Sequence, residues 1–151
     1  MTSDTQVIST LNNLIQTCRD GEEGFRTAVE GVRSPELKDL FHDYSRQRAS
    51  FASELRDEVR RLGGEAAEGG SITGSFHRGW MGLKAALTGE DERAILGECE
   101  RGEDSALAAY RAALGVDLPA SVRSMVERQF TEVKEAHQRI RGLERAEGAG
   151  A

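Results

Sequence analysis

Apolar side chains recur at steps of three and four along four long stretches of this chain, with short clusters of breaker residues between them. A strand would alternate every second residue, so this spacing calls for helices that each bury one stripe. The first stripe is Val7, Leu11, Leu14, Cys18, Phe25, Val29 and Val32, with Ser3 or Asp4 as cap and Gly31 as its end. Ser34-Pro35-Glu36 then opens a second helix with a cap, a proline in the first turn and an acid at the positive end of the dipole. Leu37, Leu40, Tyr44, Phe51, Leu55 and Leu62 mark its inner face, and Gly63-Gly64 stops it. The third helix runs from about Glu90 to Leu114 with Ile95, Cys99, Ala106, Tyr110 and Ala113 inward. Gly115 ends it, and Leu118-Pro119 starts a fourth that carries Val122, Val126, Val133, Ile140 and Leu143.

The connections decide how these helices are arranged. Helices one and two are joined by only a few residues, as are three and four, so each pair must be an antiparallel hairpin. Between the hairpins the chain from Gly63 to Gly89 is much longer. Residues Glu65 to Ser75 contain Gly69, Gly70 and Gly74 and show no periodicity. Phe76, Trp80, Leu83 and Leu87 then return to helical spacing, which predicts a short helix lying across the bundle, with Trp80 as its anchor. Such a connection can run the length of a bundle at about 1.5 Å per helical residue. The third helix is thereby set parallel to the second. This predicts an all-α, antiparallel four-helix bundle with one long crossover containing a short extra helix, the connectivity of ferritin-like folds. Residues 1–146 make one domain in this reading and 147–151 a flexible tail.

Composition narrows the partners. The chain has 151 residues, enough for one domain with a real core. Charged residues make up 30% and apolar ones 38%, a mix too apolar and too evenly charged for a disordered chain. The net charge is −6, with basic residues scattered among acidic ones and few aromatics to stack on bases, which argues against nucleic acid as a partner. No apolar run approaches the roughly 20 residues of a membrane span. The polar start, Met1 to Gln6, lacks the basic region of a signal peptide, and two distant cysteines make no disulfide framework. These features place the chain in the cytoplasm, with no membrane partner.

The two halves of the chain resemble each other. CRDGEEGF at Cys18–Phe25 matches CERGEDSA at Cys99–Ala106, and the offset is constant (99 − 18 = 81; 103 − 22 = 81). The same offset places Glu54 on Glu135, Val59 on Ile140 and Leu62 on Leu143. A duplicated helical hairpin explains it. With DGEEGF in helix one, SELRDEVRRLGGE closing helix two, HRGWMGLKAALTG in the crossover, ILGECERGEDSALAAY in helix three, and LPASVRSMVERQF with His137 in helix four, the chain resembles an uncharacterised, mainly proteobacterial family of ferritin-like four-helix bundles, a family whose domain has no known function. The resemblance runs from about Leu11 to Leu143. It implies the fold and leaves the activity open.

Di-metal ferritin-like proteins place a Glu from each of two helices and a Glu-x-x-His from each of the other two on the bundle axis. Hard iron or manganese ions take carboxylate oxygens, and the imidazoles hold each ion while leaving positions for oxygen or peroxide. Glu22 and Glu103 fit the first part, each falling in an apolar stripe one turn after Cys18 or Cys99. The second part is missing, since no Glu-x-x-His occurs. His137 is spaced to point inward between Val133 and Ile140, but Lys134 precedes it by three and Arg56 is its partner in the repeat. Folding helix two back at about Arg33 brings Tyr44, Gln47 and Arg48 level with Glu22. Gln129, Phe130 and Val133 come level with Glu103, and His137 comes near Glu98 to Glu100.

Two readings of the inward acids stay open. In one, Glu22 and Glu103 join Arg48, Gln47, Gln129 and tyrosine hydroxyls in a buried polar network. In the other, Glu22, Glu103, Glu54 or Glu100 and His137 form a reduced or single-metal site for iron or manganese. The first makes the protein a non-catalytic or weakly metal-binding interaction module, stress-related by analogy with the fold, acting as a homo-oligomer or with a protein partner. The second makes it a metal-dependent oxidoreductase or iron-handling protein. Cys18 and Cys99 read as small buried apolar residues, and would form a redox pair only if the helices bring them together. His42 and His77 fall on outer surfaces, and Tyr44 and Tyr110 are core aromatics whose hydroxyls need partners.

Overall fold

The computed structural model describes residues 3–67, 79–89 and 91–149. Five α-helices cover most of this chain: α1 (Asp4–Ala28), α2 (Pro35–Arg61), α3 (Leu83–Thr88), α4 (Glu92–Leu114) and α5 (Ala120–Ala149). A 3-10 turn at Val29–Gly31 tightens the end of α1, so the first helix proper stops three residues before Gly31. The caps follow the local chemistry. Ser3 Oγ accepts from the Gln6 amide, Ser34 Oγ from that of Leu37 with Pro35 in the first turn, and the Asp91 carboxylate from that of Arg93. At the end of α2, Gly63 takes φ +83°, and the amides of Gly63 and Gly64 reach back to the carbonyls of Arg60 and Val59. This is the six-to-one, five-to-two closure that a left-handed glycine permits.

Hydrogen bonds across the helices fix their directions. Ser45 Oγ donates to the Glu22 carbonyl and Lys38 Nζ to that of Val29, so α1 and α2 are antiparallel. Tyr110 meets Gln129 and Asp104 meets His137, so α4 and α5 are antiparallel as well. The hairpins pack mainly through α1 against α4, with α2 and α5 touching less. Arg48 meets Glu103 in the middle, with Phe41 and Leu96 in one apolar cluster and Leu55 and Leu107 in the other. The second helix therefore runs parallel to α4, as the long crossover requires. Glu92 secures the corner by accepting the amides of Arg33 and Ser34. Asn12 holds the start of the crossover, donating to the Glu65 carbonyl and accepting from the Ala67 amide.

The short crossover helix is α3, and among the described residues it carries Leu83 and Leu87 as the spacing predicts. Phe76, His77 and most of the glycine-rich stretch lie outside the described residues, as does Glu90. Trp80 does anchor the segment. It is 1% exposed and meets Phe25 edge-on at 5.0 Å between ring centroids. Its indole lies over the backbones of α1 and α4, where a Cβ on Gly24 or Gly102 would come within 2.4 or 2.1 Å of ring atoms. Only glycine leaves room there.

The stripes on α1, α4 and α5 are the expected ones except that Val29 and Leu143 are half-buried, and Ile15, Leu96, Leu107 and Ala136 are added. On α2 the buried face is centred differently. Phe41 and Val59 are fully buried, whereas Leu40, Tyr44 and Leu62 are half-buried. Advancing about 100° per residue, Phe41 and Leu40 flank the stripe from opposite sides, and the contact with α1 selects the Phe41 side.

Candidate functional site: the polar layer of the bundle axis

The core is divided. One apolar cluster, built around Leu11, Leu14, Leu55 and Val126, fills the end where α1 begins. A second, around Phe25, Phe41, Trp80 and Ile95, fills the other end. Between them lies a belt of polar side chains contributed by all four long helices: Cys18, Arg48, Glu103, Tyr110 and Gln129.

Arg48 and Glu103 form its centre. Their side chains are 1% and 0% exposed, and the guanidinium grips the carboxylate with two parallel hydrogen bonds, Nη1 to Oε1 at 2.5 Å and Nη2 to Oε2 at 2.6 Å. Arg48 Nε donates to Gln47 Oε1, and its guanidinium carbon sits 5.4 Å from the centroid of the Phe25 ring. Burial would strip the guanidinium of its proton more readily, but the adjacent Glu103 charge and hydrogen bonds outweigh it and hold the pKa above the usual arginine value. An isolated charge at this depth would be very costly, and only a fully paired one is tolerable.

A second chain of bonds flanks the pair. Tyr110 donates its only hydroxyl proton to Gln129 Oε1 at 2.6 Å. Its oxygen is then the acceptor toward Cys18 Sγ at 3.2 Å, so the thiol is the donor. Gln129 Nε2 donates onward to the Phe51 carbonyl and to Glu54 Oε1. Burial pushes the Cys18 thiol up to about 11. Burial likewise raises Cys99 and, together with Cys18, Tyr110 well above their ordinary values. Burial thus favours the protonated form of all three. Cys18 belongs to one apolar cluster and Cys99 to the other, and both are free thiols.

The 81-residue offset continues into this layer. It relates Glu22 to Glu103, and it also relates Arg48 to Gln129 (129 − 48 = 81). Symmetric sequence positions thus carry an asymmetric set of side chains, and the one buried ion pair among the described residues takes its arginine from the first half and its glutamate from the second.

The structure separates most of the carboxylates that the sequence nominates. Glu103 is on the axis. Glu22 is not beside it, contrary to the network in which both acids meet Arg48. It lies at the edge of the bundle, 19% exposed, and binds Arg19 one turn earlier on its own helix at 2.7 Å. Glu54, 36% exposed, is held by Arg128 and Gln129. His137 does not point at the axis. It lies in the groove between α4 and α5, 14% exposed, with Nε2 2.7 Å from Asp104 Oδ1. Glu100 is at this place too: one donor atom from each of Glu100, Asp104 and His137 falls within 4.8 Å of the others. Glu100 and His137 are thus brought together, with Asp104 as the member that sequence reasoning missed. The signal for it was present, because Asp104 follows Glu100 by four residues and so shares its helix face. Glu144, two turns beyond His137 on the same face of α5, hydrogen-bonds Glu100, and that contact followed by burial raises its pKa.

A di-metal centre on the axis does not fit these residues. It needs several carboxylate oxygens and imidazoles that converge with their lone pairs free. Among the described residues one carboxylate, that of Glu103, reaches the axis, both of its oxygens are engaged by a guanidinium, and the positive charge stands where an ion would have to sit.

Comparison with known proteins agrees with the architecture. Residues 6–115 match the family described as a domain of unknown function, DUF2383. No curated protein matches the sequence. Among solved structures, a mutant Dps1 of Mycobacterium smegmatis superposes with a TM-score of 0.73 over 94% of this chain and 98% of its own, at 12% identity. That likeness extends to the fold alone. No helix among the described residues is long and apolar enough to cross a membrane. The chain is a member of the DUF2383 family, built as a ferritin-like four-helix bundle.

Proposed function

We propose that this protein is a non-catalytic ferritin-like module that acts through its surface in the cytoplasm, as a homo-oligomer or with a protein partner. The observation that supports this reading is the Arg48–Glu103 pair, buried and doubly hydrogen-bonded at the place where a ferritin-like oxidase would hold its metals. Replacing a ligand carboxylate's metal by a guanidinium satisfies the same buried charge without redox chemistry. With the axis filled, the outer helix faces are what remain for recognition.

The test is anaerobic loading of untagged protein with ferrous iron and with manganese, elemental analysis, and then exposure to oxygen and peroxide. The expected outcome is no turnover and no metal whose retention depends on Glu22 or Glu103. Near-stoichiometric metal lost in Glu22→Gln and Glu103→Gln, with oxidase activity, would overturn the proposal in favour of a metal-dependent oxidoreductase. Sedimentation of the same samples reports self-association.

A further inference from the structure

We propose that Glu100, Asp104 and His137 form a mononuclear site for a divalent transition-metal ion in the groove between α4 and α5. The site is separate from the bundle axis and does not depend on how the axis is read. Two of its donors are four residues apart on α4, which sets both carboxylates on one face of that helix. The third comes from α5, carried to the same height by the antiparallel hairpin. His137 Nε2 and Asp104 Oδ1 are already at 2.7 Å, and donor atoms from all three residues lie within 4.8 Å of one another.

Those separations suit a single small ion. Bonds of about 2.0–2.2 Å from zinc to nitrogen or oxygen put the donors of a tetrahedral site roughly 3.3–3.6 Å apart. Closing the longest separation asks for at most about 1.5 Å of movement by a carboxylate oxygen, within reach of side-chain rotation. The donor set, one imidazole nitrogen with two carboxylate oxygens, is borderline in hardness and suits zinc, manganese, ferrous iron or cobalt better than calcium or magnesium. Three protein ligands leave further positions to water, so the expected site is modest in affinity and exchangeable.

The charge around the groove favours a cation. Glu144 places a third carboxylate against Glu100; of the two arginines near Glu144, Arg93 and Arg101, the second is engaged by Glu98, so the carboxylates outnumber the free cations. The His137–Asp104 hydrogen bond is the apo arrangement of the same groups. On metal binding Nε2 presents its lone pair to the ion, and the ring takes the tautomer that carries its proton on Nδ1. All three side chains sit on long helices anchored by core residues (Cys99 and Tyr110 on α4, Val133 and Ile140 on α5), so little order has to be created on binding.

Isothermal titration of the untagged protein with zinc, and separately with manganese, tests the site, alongside His137→Asn, Glu100→Gln and Glu22→Gln. The expected result is one ion per chain, at least about 10-fold weaker in His137→Asn and Glu100→Gln and unchanged in Glu22→Gln. All three substitutions lie outside the buried core, and circular dichroism confirms that each variant is folded. The imidazole nitrogen resonances of His137 should move on titration with zinc. No binding up to millimolar metal, binding that survives His137→Asn, or binding lost in Glu22→Gln would each overturn the proposal. The last outcome would instead place the metal beside Glu22, away from the α4–α5 groove.

Discussion

Removing the carboxylate of Glu103 should destabilise the protein far more than removing the whole ion pair. In the native bundle the five N–H groups of Arg48 face two carboxylate oxygens and Gln47, with almost no access to water. Glu103→Leu leaves a guanidinium buried beside apolar groups with only Gln47 to accept from it. Breaking one side of such a pair costs roughly 3–5 kcal/mol. For a domain of this size each kcal/mol moves the melting temperature by about 2–4 °C, so the single variant should melt roughly 6–20 °C lower. The double variant Arg48→Met, Glu103→Leu removes both charges and fills the layer with side chains of similar volume. It should recover most of the loss, ending between neutral and a few kcal/mol more stable than the native chain. Urea denaturation followed by circular dichroism on the two singles and the double gives the coupling energy directly. A cost below about 1 kcal/mol for Glu103→Leu, or a double variant whose loss equals the sum of the singles, would refute the reasoning that the pair is a mutually dependent buried charge.

Two further outcomes follow from the same packing and electrostatics. Gly102→Ala should displace Trp80, because its Cβ would fall 2.1 Å from the indole; overpacking costs about 1–3 kcal/mol, against about 1 kcal/mol of gained helix propensity. Trp80 is the single tryptophan, so its fluorescence reports the shift, and an unchanged spectrum with raised stability would contradict the packing. The thiols give a pH dependence. An ordinary thiol ionises near 9 and Cys18 only near 11, so in the unfolded chain the proton leaves first as pH rises. Stability is complete below pH 9 and falls between 9 and 11, by roughly 2–3 kcal/mol from this residue alone. Urea midpoints that stay level across that window, or rapid labelling of native Cys18 by a thiol reagent at pH 8, would show the group to be accessible instead.

Much of the architecture was written in one dimension. Apolar steps of three and four, the Ser34-Pro35 start and the Gly63-Gly64 stop each act within a turn or two of helix, where backbone sterics and hydrogen bonds are decided locally. Connection length then fixed antiparallel hairpins and a parallel crossover, since a few residues cannot span a bundle and the stretch from Gly63 to Gly89 can. The 81-residue repeat made the same two-hairpin plan visible from a second direction.

The site was another matter. Sequence spacing ranked Glu22 and Glu103 as equals, one turn beyond equivalent cysteines, and the folded chain treats them differently. Glu103 is sealed in the axis against Arg48, whereas Glu22 reaches the surface and Arg19. A side chain's height along its helix follows from residue number, but its neighbour depends on how each helix is rotated about its own axis. The packing of Trp80 on Gly24 and Gly102, and of Phe41 rather than Leu40 on α2, sets that rotation. The same few tens of degrees turn His137 out of the core and into the α4–α5 groove beside Asp104 and Glu100. Helices and their order came from local chemistry; which charges meet was decided only when four surfaces had to fit one another.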